Sequence, residues 1–277
     1  MGRRQGNPLI QIAKYGFVYF LACIVVMPLL QILLSGFKTA AEVNQTVSLP
    51  HGLYLGNYLK VFSSNLAVQS FFNSTVISVV TIVLDILICS SAAYSLARNQ
   101  EKIFGFVYLF FVSAMMIPAV ANLASLYTII FKLGLKDTRT ALILIYAANQ
   151  IPLGILLFTG FIKTIPRQLD EAAVIDGCNY WQKFYRIIFP LLKPVTTTFA
   201  ITSLVFIWND FLMPLMILHS EAKKTITLAV YSFVNQYQSD YGAIYAMLIV
   251  AVFPPALLFL LTQKYFYQGI TSGAVKG

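Results

Sequence analysis

The sequence predicts an all-α integral membrane protein with six transmembrane helices, built as one membrane domain over residues 1–277. Apolar residues make up 58% of the chain, and charged residues make up only 10%, against about 25% in an ordinary soluble domain. A soluble protein of this length has too little interior to bury so much apolar surface. These two fractions exclude a disordered chain, a disulfide-stabilised scaffold and a typical cytosolic enzyme.

Six apolar stretches have the roughly 20 residues that a helix needs to cross a hydrocarbon core about 30 Å thick. Helices are expected because a membrane β-barrel would show shorter segments of alternating hydrophobicity. Four stretches carry no charge, whereas the second contains Asp85 and the fifth contains Asp210. The predicted spans are Tyr15–Phe37, Phe71–Ala97, Ile103–Phe131, Thr140–Ile162, Pro194–Leu218 and Tyr241–Gln263.

The distribution of basic residues predicts that both termini are cytoplasmic. With this orientation, 12 of the 19 Lys and Arg residues lie in inner segments and 7 in outer segments. Membrane proteins concentrate Lys and Arg in cytoplasmic loops. The net charge of +9 is therefore largely explained by topology in a lipid bilayer, and it gives no reason to expect nucleic-acid binding.

The longest inner segment, residues 163–193, has the pattern of a docking element. Arg167–Asp176 suits a short helix, and Gly177 suits the left-handed residue that ends one. On this helix Leu169, Ala172, Ala173 and Asp176 share one face at helical spacing, and the two alanines predict a smooth ridge that fits a groove on a partner. An amphipathic hairpin lying on the lipid headgroups is the alternative interpretation of the same residues.

Two further features of the segment belong to either interpretation. Glu171 offers a charge that a basic partner residue could meet. A second helix is expected over Tyr180–Phe189, ended by Pro190 because proline lacks the amide hydrogen that a helix needs.

The segment also resembles the cytoplasmic EAA loop of ABC importer permease subunits. In that family an EAA triplet is followed at fixed spacing by Gly, Ile and Pro. The matching residues here are Glu171, Ala172, Ala173, Gly177, Ile187 and Pro190. Phe189 stands before the proline where the family usually has Leu. Residues 163–193 are called the EAA loop below.

Other segments are similar to the carbohydrate-uptake branch of that family, and in particular to the smaller, six-helix member of a maltose-permease-type pair. The similarity runs from about residue 36 to the end of the chain. The segments are Phe37-Lys38-Thr39, Asn57-Tyr58, Asn73-Ser74, Trp208-Asn209-Asp210-Phe211, Pro214-Leu215 and the tail from Gly269 to Gly277.

The resemblance implies the type I importer fold and a prokaryotic cytoplasmic membrane. It also implies a second permease subunit, so that a heterodimer forms the pathway, two cytoplasmic ATPase subunits and an extracytoplasmic sugar-binding protein. The EAA helix, with Asp176 at its end, would couple this chain to an ATPase. ATP and magnesium would be bound by the ATPase, since this sequence has no phosphate-binding G-x-x-x-x-G-K-[ST] loop.

Polar residues inside the spans are candidates for the sugar pathway. Asn209 and Asp210 in the fifth span, and Asn149 and Gln150 in the fourth, could hydrogen-bond sugar hydroxyls. Alternatively, they could hold helices together, and Asp85 could do the same. An ion-coupled secondary transporter using Asp85 or Asp210 is the alternative function, although no inverted repeat is visible.

The outer loop at residues 219–240 is the candidate contact with the binding protein. In the maltose type this segment reaches into the docked binding protein, and a plain surface loop is the alternative. Its polar candidates are Asn235, Gln236, Tyr237 and Gln238. No constellation of nucleophile and base, and no metal-binding motif, predicts an enzyme.

Overall fold

A computed structural model describes residues 8–44, 48–236 and 240–274, and every regular element in these ranges is helical. In the first half of the chain the helices are α1 (Pro8–Ser35), α2 (Ala40–Val43), α3 (Gly56–Ser63), α4 (Asn65–Arg98), α5 (Lys102–Ala114), a 3-10 turn (Ala119–Asn122), α6 (Leu123–Lys132) and α7 (Arg139–Ile162).

The second half begins with the short helices of the EAA loop. They are α8 (Gln168–Ile175), α9 (Tyr180–Lys183), a π-helical turn (Phe184–Ile188) and α10 (Phe189–Leu191). The remaining elements are α11 (Lys193–Asn209), α12 (Leu212–Ile217), a 3-10 turn (Glu221–Lys223), α13 (Ile226–Gln236) and α14 (Tyr241–Ala274).

Four helices in the described residues, within α1, α4, α7 and α14, are long and apolar enough to cross a membrane. A fifth span results if the helices Tyr180–Leu191 and Lys193–Asn209, which meet at 72°, are taken together. The all-helical membrane fold is confirmed. The count of six continuous helices is only approximate, because two of the predicted spans are broken.

The third predicted span, Ile103–Phe131, is not one helix. Helix α5 ends at Ala114, and α6 begins only at Leu123. Pro118 lies in the gap between them and can neither donate a backbone hydrogen bond nor fit behind the preceding turn of a helix. The span is therefore two helices of 13 and 10 residues joined by a short 3-10 turn.

The fifth predicted span, Pro194–Leu218, is broken where its polar residues lie. Helix α11 ends at Asn209, and Asp210 has an extended backbone with ψ of 133°. The Asp210 carboxylate then accepts a hydrogen bond of 3.0 Å from the backbone N–H of Leu212, the first residue of α12. The acidic side chain thus caps the second half of the span.

The chain divides into two compact units, of which the first comprises residues 1–67 and 230–252. Within it, Asn57 donates from Nδ2 to the backbone oxygens of Gly36 (3.0 Å) and Lys38 (2.8 Å). The rings of Phe37 and Tyr58 lie 4.9 Å apart. The two segments singled out near residues 37 and 57 are therefore in direct contact.

The second unit comprises residues 68–229 and 253–277 and holds both apolar cores. One core joins α4 and α7 to the loop end of the bundle, where Phe184 and Ile188 of the EAA loop are buried. In this core α7 and α4 are so close that a Cβ on Gly154 would lie 2.5 Å from the sulfur of Cys89. The other core lies around Tyr146 and Ile217. The EAA loop is thus packed into the bundle.

Candidate functional site

Helix α8 is short and has a defined end at each side. Its last turn closes as a Schellman motif: Gly177 N–H bonds to Val174 O (3.0 Å), and Cys178 N–H bonds to Ala173 O (2.9 Å). Gly177 has a φ of +77°, in the left-handed region. The predicted helix stop at Gly177 is confirmed. The helix itself, Gln168–Ile175, is one residue shorter at each end than predicted.

The exposed surface of α8 differs from the predicted one. Glu171, Ala172 and Asp176 are exposed, whereas Ala173 is only 2% exposed and packs within the subunit. The predicted ridge of two adjacent partner-facing alanines is therefore wrong, since successive helical residues point about 100° apart. Ile175, at 85% exposure, is the most exposed of the large apolar side chains of this helix.

Pro190 does not end the second helix of the EAA loop. The chain widens into a π-turn at Phe184–Ile188, in which Phe189 N–H bonds to Phe184 O. Proline then fits at the start of α10, where a missing amide hydrogen removes no bond. The chain turns after Leu192 instead. Ile187, the motif residue before it, is partly buried against the core at the loop end.

A polar contact that the sequence did not single out holds α8 to α4. Asp170 accepts a hydrogen bond from the Tyr94 hydroxyl (2.5 Å), and its other oxygen lies 2.8 Å from a terminal nitrogen of Arg98. Arg98 also donates to the backbone oxygen of Ile165 (3.0 Å). Two features of the sequence could have pointed to this contact: Arg98 lies at the end of an apolar span, and Asp170 directly precedes the EAA triplet.

The fourth and fifth predicted spans meet through Asp210. The Tyr146 hydroxyl donates to the Asp210 carboxylate (2.7 Å), and the Thr227 hydroxyl donates to the Asp210 backbone oxygen (2.7 Å). These bonds support the interhelical interpretation of Asp210. The bond from Tyr146 also holds the first half of α7 against the end of α11.

The other pathway candidates differ in exposure. Asn149 and Asn209 are exposed, whereas Gln150 is 4% exposed and its side-chain oxygen lies 3.5 Å from the Ser203 hydroxyl. Gln150 therefore lies inside the helix bundle, where it can contact α11. Asn149 and Asn209 are the two candidates whose amides remain available to a ligand.

Asp85 is buried inside the second unit, one helical turn before Cys89 on α4. In the described residues neither of its carboxylate oxygens has a hydrogen-bond partner. Ser78 and Thr81, which precede it on α4, are buried and likewise lack hydroxyl partners there. The described contacts thus give Asp85 no interhelical hydrogen bond of the kind that Asp210 has.

At the end opposite the EAA loop, Asp137 ties two connecting segments together. It accepts hydrogen bonds from the backbone N–H of His219 (2.9 Å) and Ser220 (3.1 Å), and Lys223 Nζ lies 3.0 Å from its carboxylate. Partial burial opposes ionisation, but the bonds from Ser220, His219 and Lys223 outweigh it and hold the pKa of Asp137 well below its usual range. This carboxylate stays charged at neutral pH.

The same outer segment is held by the other end of α4. Asn73 donates from Nδ2 to the backbone oxygens of Ala222 (2.9 Å) and Lys224 (3.0 Å), and the Ser74 hydroxyl accepts from Ile226 N–H (2.8 Å). The Asn73-Ser74 pair thus fixes the start of α13.

The structure describes two of the four candidate contacts with a binding protein. Asn235 and Gln236 belong to the last turn of this helix, and Tyr237 and Gln238 lie outside the described residues. In the residues that are described, no three His, Cys, Asp or Glu side chains come together as metal ligands would.

Comparison with known proteins identifies the family. Residues 7–272 match the family described as binding-protein-dependent transport system inner membrane component. The chain is 35% identical to the melibiose/raffinose/stachyose import permease protein MelC of Bacillus subtilis, over 92% of this chain and 93% of that one. It is 33% identical to the multiple sugar-binding transport system permease protein MsmG of Streptococcus mutans, over 95% and 96%.

The fold has a counterpart among solved structures. A chain of a bacterial ABC transporter involved in the import of the acidic polysaccharide alginate superimposes with a TM-score of 0.80, at 22% identity, over 96% of this chain and 99% of that one. The curated relatives are transport permeases, and the family model covers nearly all of the chain. This chain therefore belongs to the family of inner membrane components of binding-protein-dependent transport systems.

Proposed function

We propose that this chain is a transmembrane subunit of an ATP-binding-cassette importer for a sugar or oligosaccharide. It forms the pathway as a heterodimer with a second permease. An extracytoplasmic binding protein delivers the sugar, and two cytoplasmic ATPase subunits drive transport. Both termini are cytoplasmic, and the chain itself performs no catalysis, since ATP and magnesium belong to the ATPase subunits.

The observation that carries the coupling role is the geometry of α8. This helix has a defined stop at Gly177, is attached to the bundle through Asp170 and still exposes Glu171, Ala172 and Ile175. A short helix with fixed ends passes on a rigid-body displacement, whereas a loop without such ties absorbs it. The exposed side is therefore the proposed contact with the ATPase.

The substrate class rests on the relatives. Proteins 32% to 35% identical to this chain carry names that refer to melibiose, raffinose and stachyose, or to arabinooligosaccharides. We propose that the sugar passes the exposed amides of Asn149 and Asn209, because amides hydrogen-bond hydroxyl groups both as donors and as acceptors. Gln150 and Asp210 support these positions from within the bundle, through Ser203 and Tyr146.

The first experiment is affinity purification of the chain from its native membrane in mild detergent, followed by mass identification of the bound proteins. Recovery of a second permease and an ATPase is expected. Uptake of raffinose, melibiose and arabinooligosaccharides by cells is then measured after a protonophore collapses the ion gradients, with ATP maintained. Recovery of the chain alone, or uptake that stops with the gradients, would contradict the proposal.

Charge reversal at Glu171 tests the coupling surface. We expect Glu171→Lys to leave the chain in the membrane but to abolish ATP-driven uptake, because a lysine would oppose a basic residue of the ATPase. Glu101→Lys makes the same charge change at an exposed position of the connection between α4 and α5 and is the matched control. Equal uptake by both variants would contradict the proposal that α8 contacts the ATPase.

A second candidate function, ion-coupled transport, rests on the buried carboxylate of Asp85, which has no hydrogen-bond partner among the described residues. An ion-coupled carrier needs this carboxylate to take up its ion, whereas an ABC permease does not. We expect Asp85→Asn, which keeps the shape of the side chain, to retain ATP-driven uptake. Loss of uptake in this variant, together with sensitivity of the wild type to a protonophore, would favour the carrier.

A further inference from the structure

We propose that α4 is the element that carries displacement of α8 through the bundle to the outer segment at residues 222–226, with the Arg98–Asp170 ion pair as its input contact. The proposal rests on the proposed function, because it takes α8 as the helix that an ATPase moves. It concerns contacts inside this chain, which neither the EAA pattern nor the relatives assign.

The EAA-loop end of α4 holds that loop at three places. Arg98 binds the Ile165 backbone oxygen just before α8, and the Asp170 side chain in the first turn of α8. The Ser95 hydroxyl lies 2.6 Å from the Tyr180 hydroxyl at the start of α9. The last turns of one helix therefore contact both short helices of the loop and the segment leading into them.

The contact is more than a surface ion pair. The side chains of Arg98 and Asp170 are 13% and 14% exposed, and Tyr94, which donates to Asp170, is 2% exposed. Exposed ion pairs contribute little because water screens them. Removing one partner of a mostly buried pair leaves the other charge poorly solvated. Relative movement of α8 and α4 is accordingly opposed while both charges are present.

The covalent connections of α8 are less suited to transmit movement. Five residues without α-helical structure, 163–167, separate α7 from α8. On the other side, α9, the π-turn, α10 and a bend of 72° intervene before α11. The contact with α4 is the one place where α8 is joined by charged and hydrogen-bonded side chains to a long helix in the described residues.

Helix α4 is also built to transmit force without bending. Its 34 residues contain neither proline nor glycine. Each of the other three long apolar helices contains internal proline: Pro28 in α1, Pro152 in α7, and Pro254 and Pro255 in α14. Sharp helix bends occur at such residues. From Asn73 to Arg98 an unbroken helix spans about 38 Å, at 1.5 Å per residue.

The output contact lies at the other end of this helix. Asn73 and Ser74, each 3% exposed, hold the backbone of residues 222–226 with three hydrogen bonds. A shift of α4 along its axis must therefore move or break these bonds. By reciprocity, a ligand that displaces the outer segment must act on α8 with the same coupling free energy.

The test uses the complete purified complex in lipid nanodiscs, with MgATP and the binding protein isolated from native cells. The measured quantity is the ratio of ATP hydrolysis with and without saturating binding protein. We expect Arg98→Gln, Asp170→Asn and Asn73→Ala each to lower this ratio by about fivefold or more, the usual lower range of coupling between sites. Glu101→Gln, at an exposed position three residues after Arg98 in the chain, is the control and should keep the wild-type ratio.

A purely structural role gives a different result, because loss of folded complex lowers both hydrolysis rates together and leaves their ratio unchanged. That outcome, or a wild-type ratio in Asn73→Ala, would overturn the proposal. Failure of the wild-type complex to hydrolyse ATP in response to binding protein would instead refute the proposed function. The two failures are therefore distinguishable.

A covalent replacement of the ion pair supplies a second, independent test. In a chain with Cys178→Ser and Cys23→Ser, the pair Arg98→Cys and Asp170→Cys should lose the stimulation ratio. Cross-linking the two thiols with a flexible bis-maleimide should restore it, because α8 and α4 are again joined. If the cross-link forms and the ratio stays low, the two helices do not move together and the proposal is wrong.

Discussion

At the scale of single residues, Gly177 has two separate properties. Its φ of +77° lies in the left-handed region, which a residue with a branched side chain adopts only at a cost of roughly 1–2 kcal/mol. Apart from its two chain neighbours, no described residue has an atom within 4 Å of a Cβ placed on Gly177. The glycine is therefore required by the backbone conformation of the Schellman stop and not by a lack of space for a Cβ.

The requirement for a left-handed backbone at Gly177 leads to a prediction for two variants. Gly177→Asn should retain most ATP-driven uptake, because asparagine tolerates the left-handed conformation. Gly177→Val should lose most of it, because the helix stop is strained and α8 is displaced. Uptake and the amount of membrane-bound chain are measured side by side. Equal uptake by the two variants would show that the conformation of this residue does not matter for coupling.

At the scale of helices, the contact between α4, α7 and α11 depends on a missing side chain. A Cβ on Gly154 of α7 would lie 2.5 Å from Cys89 Sγ and 3.3 Å from Phe199 Cε2. Small residues allow membrane helices to approach closely and gain van der Waals contact. At Gly160, six residues along the same helix, a Cβ would meet no atom within 4 Å among the described residues outside the adjoining turns of α7.

We therefore predict that the same substitution has different effects on stability at two positions of one helix. Gly154→Ala should lower the thermal unfolding temperature of the purified subunit, because overpacking costs about 1–3 kcal/mol. Gly160→Ala should leave it unchanged or raise it, because alanine favours the helix by up to about 1 kcal/mol. Thermal unfolding of both variants in the same detergent is the measurement. Similar shifts for both would contradict the close contact at Cys89.

The connection between α6 and α7 shows how a carboxylate orders two loops. Asp137 has a positive φ of 55° and joins Ser220 and Lys223 to its own turn. Its pKa lies below the ordinary value of 3.8. The stabilisation from this group is thus complete at pH above that ordinary value. It is lost as the pH falls below 3.8 towards the depressed pKa of the folded state.

The corresponding prediction is a pH dependence. The difference in unfolding temperature between wild type and Asp137→Asn should be largest at neutral pH and should shrink as the pH falls below about 4. Asparagine keeps the backbone conformation and an oxygen for the amides of His219 and Ser220, so the variant isolates the charge. Thermal unfolding at pH 7 and at pH 3 measures the difference. A constant difference would show that the charge of Asp137 contributes nothing.

At the scale of the whole molecule, the orientation of the chain in the membrane decides which partner each segment can meet. The EAA loop and the segment at residues 219–223 are attached to opposite ends of α4, through Arg98 and Asn73. If α4 spans the membrane, these two segments face different compartments. The excess of Lys and Arg predicts that the EAA loop is the cytoplasmic one.

This orientation can be measured with two engineered cysteines in a chain with Cys23→Ser and Cys178→Ser. Glu221→Cys and Gln168→Cys replace exposed residues at the two ends. A membrane-impermeant maleimide should label Glu221→Cys in intact spheroplasts and Gln168→Cys only in inverted vesicles. Labelling of both in spheroplasts, with an intact cytoplasmic control protein, would contradict the proposed topology.

The sequence by itself determined the class of the molecule. Long apolar stretches require helices in lipid, because every backbone polar group must be satisfied within the chain. The EAA pattern located the short helix α8 and its stop at Gly177, since a left-handed stop is a local property of the backbone. Only the tertiary structure decided which residues hold that helix in place. Asp170, Arg98 and Tyr94 are separated by up to 76 positions in sequence, and periodicity along one segment carries no information about such partners.

Tertiary structure also decided where the spans break and which residues of the EAA triplet are exposed. Composition marks Ile103–Phe131 and Pro194–Leu218 as apolar. A proline interrupts the first of these spans, and an aspartate that caps the following helix interrupts the second. Ala172 and Ala173 are identical in chemistry, yet one faces outward and the other packs against the bundle. Local chemistry fixes the type of an element, whereas its exposed face depends on the neighbours that the fold brings to it.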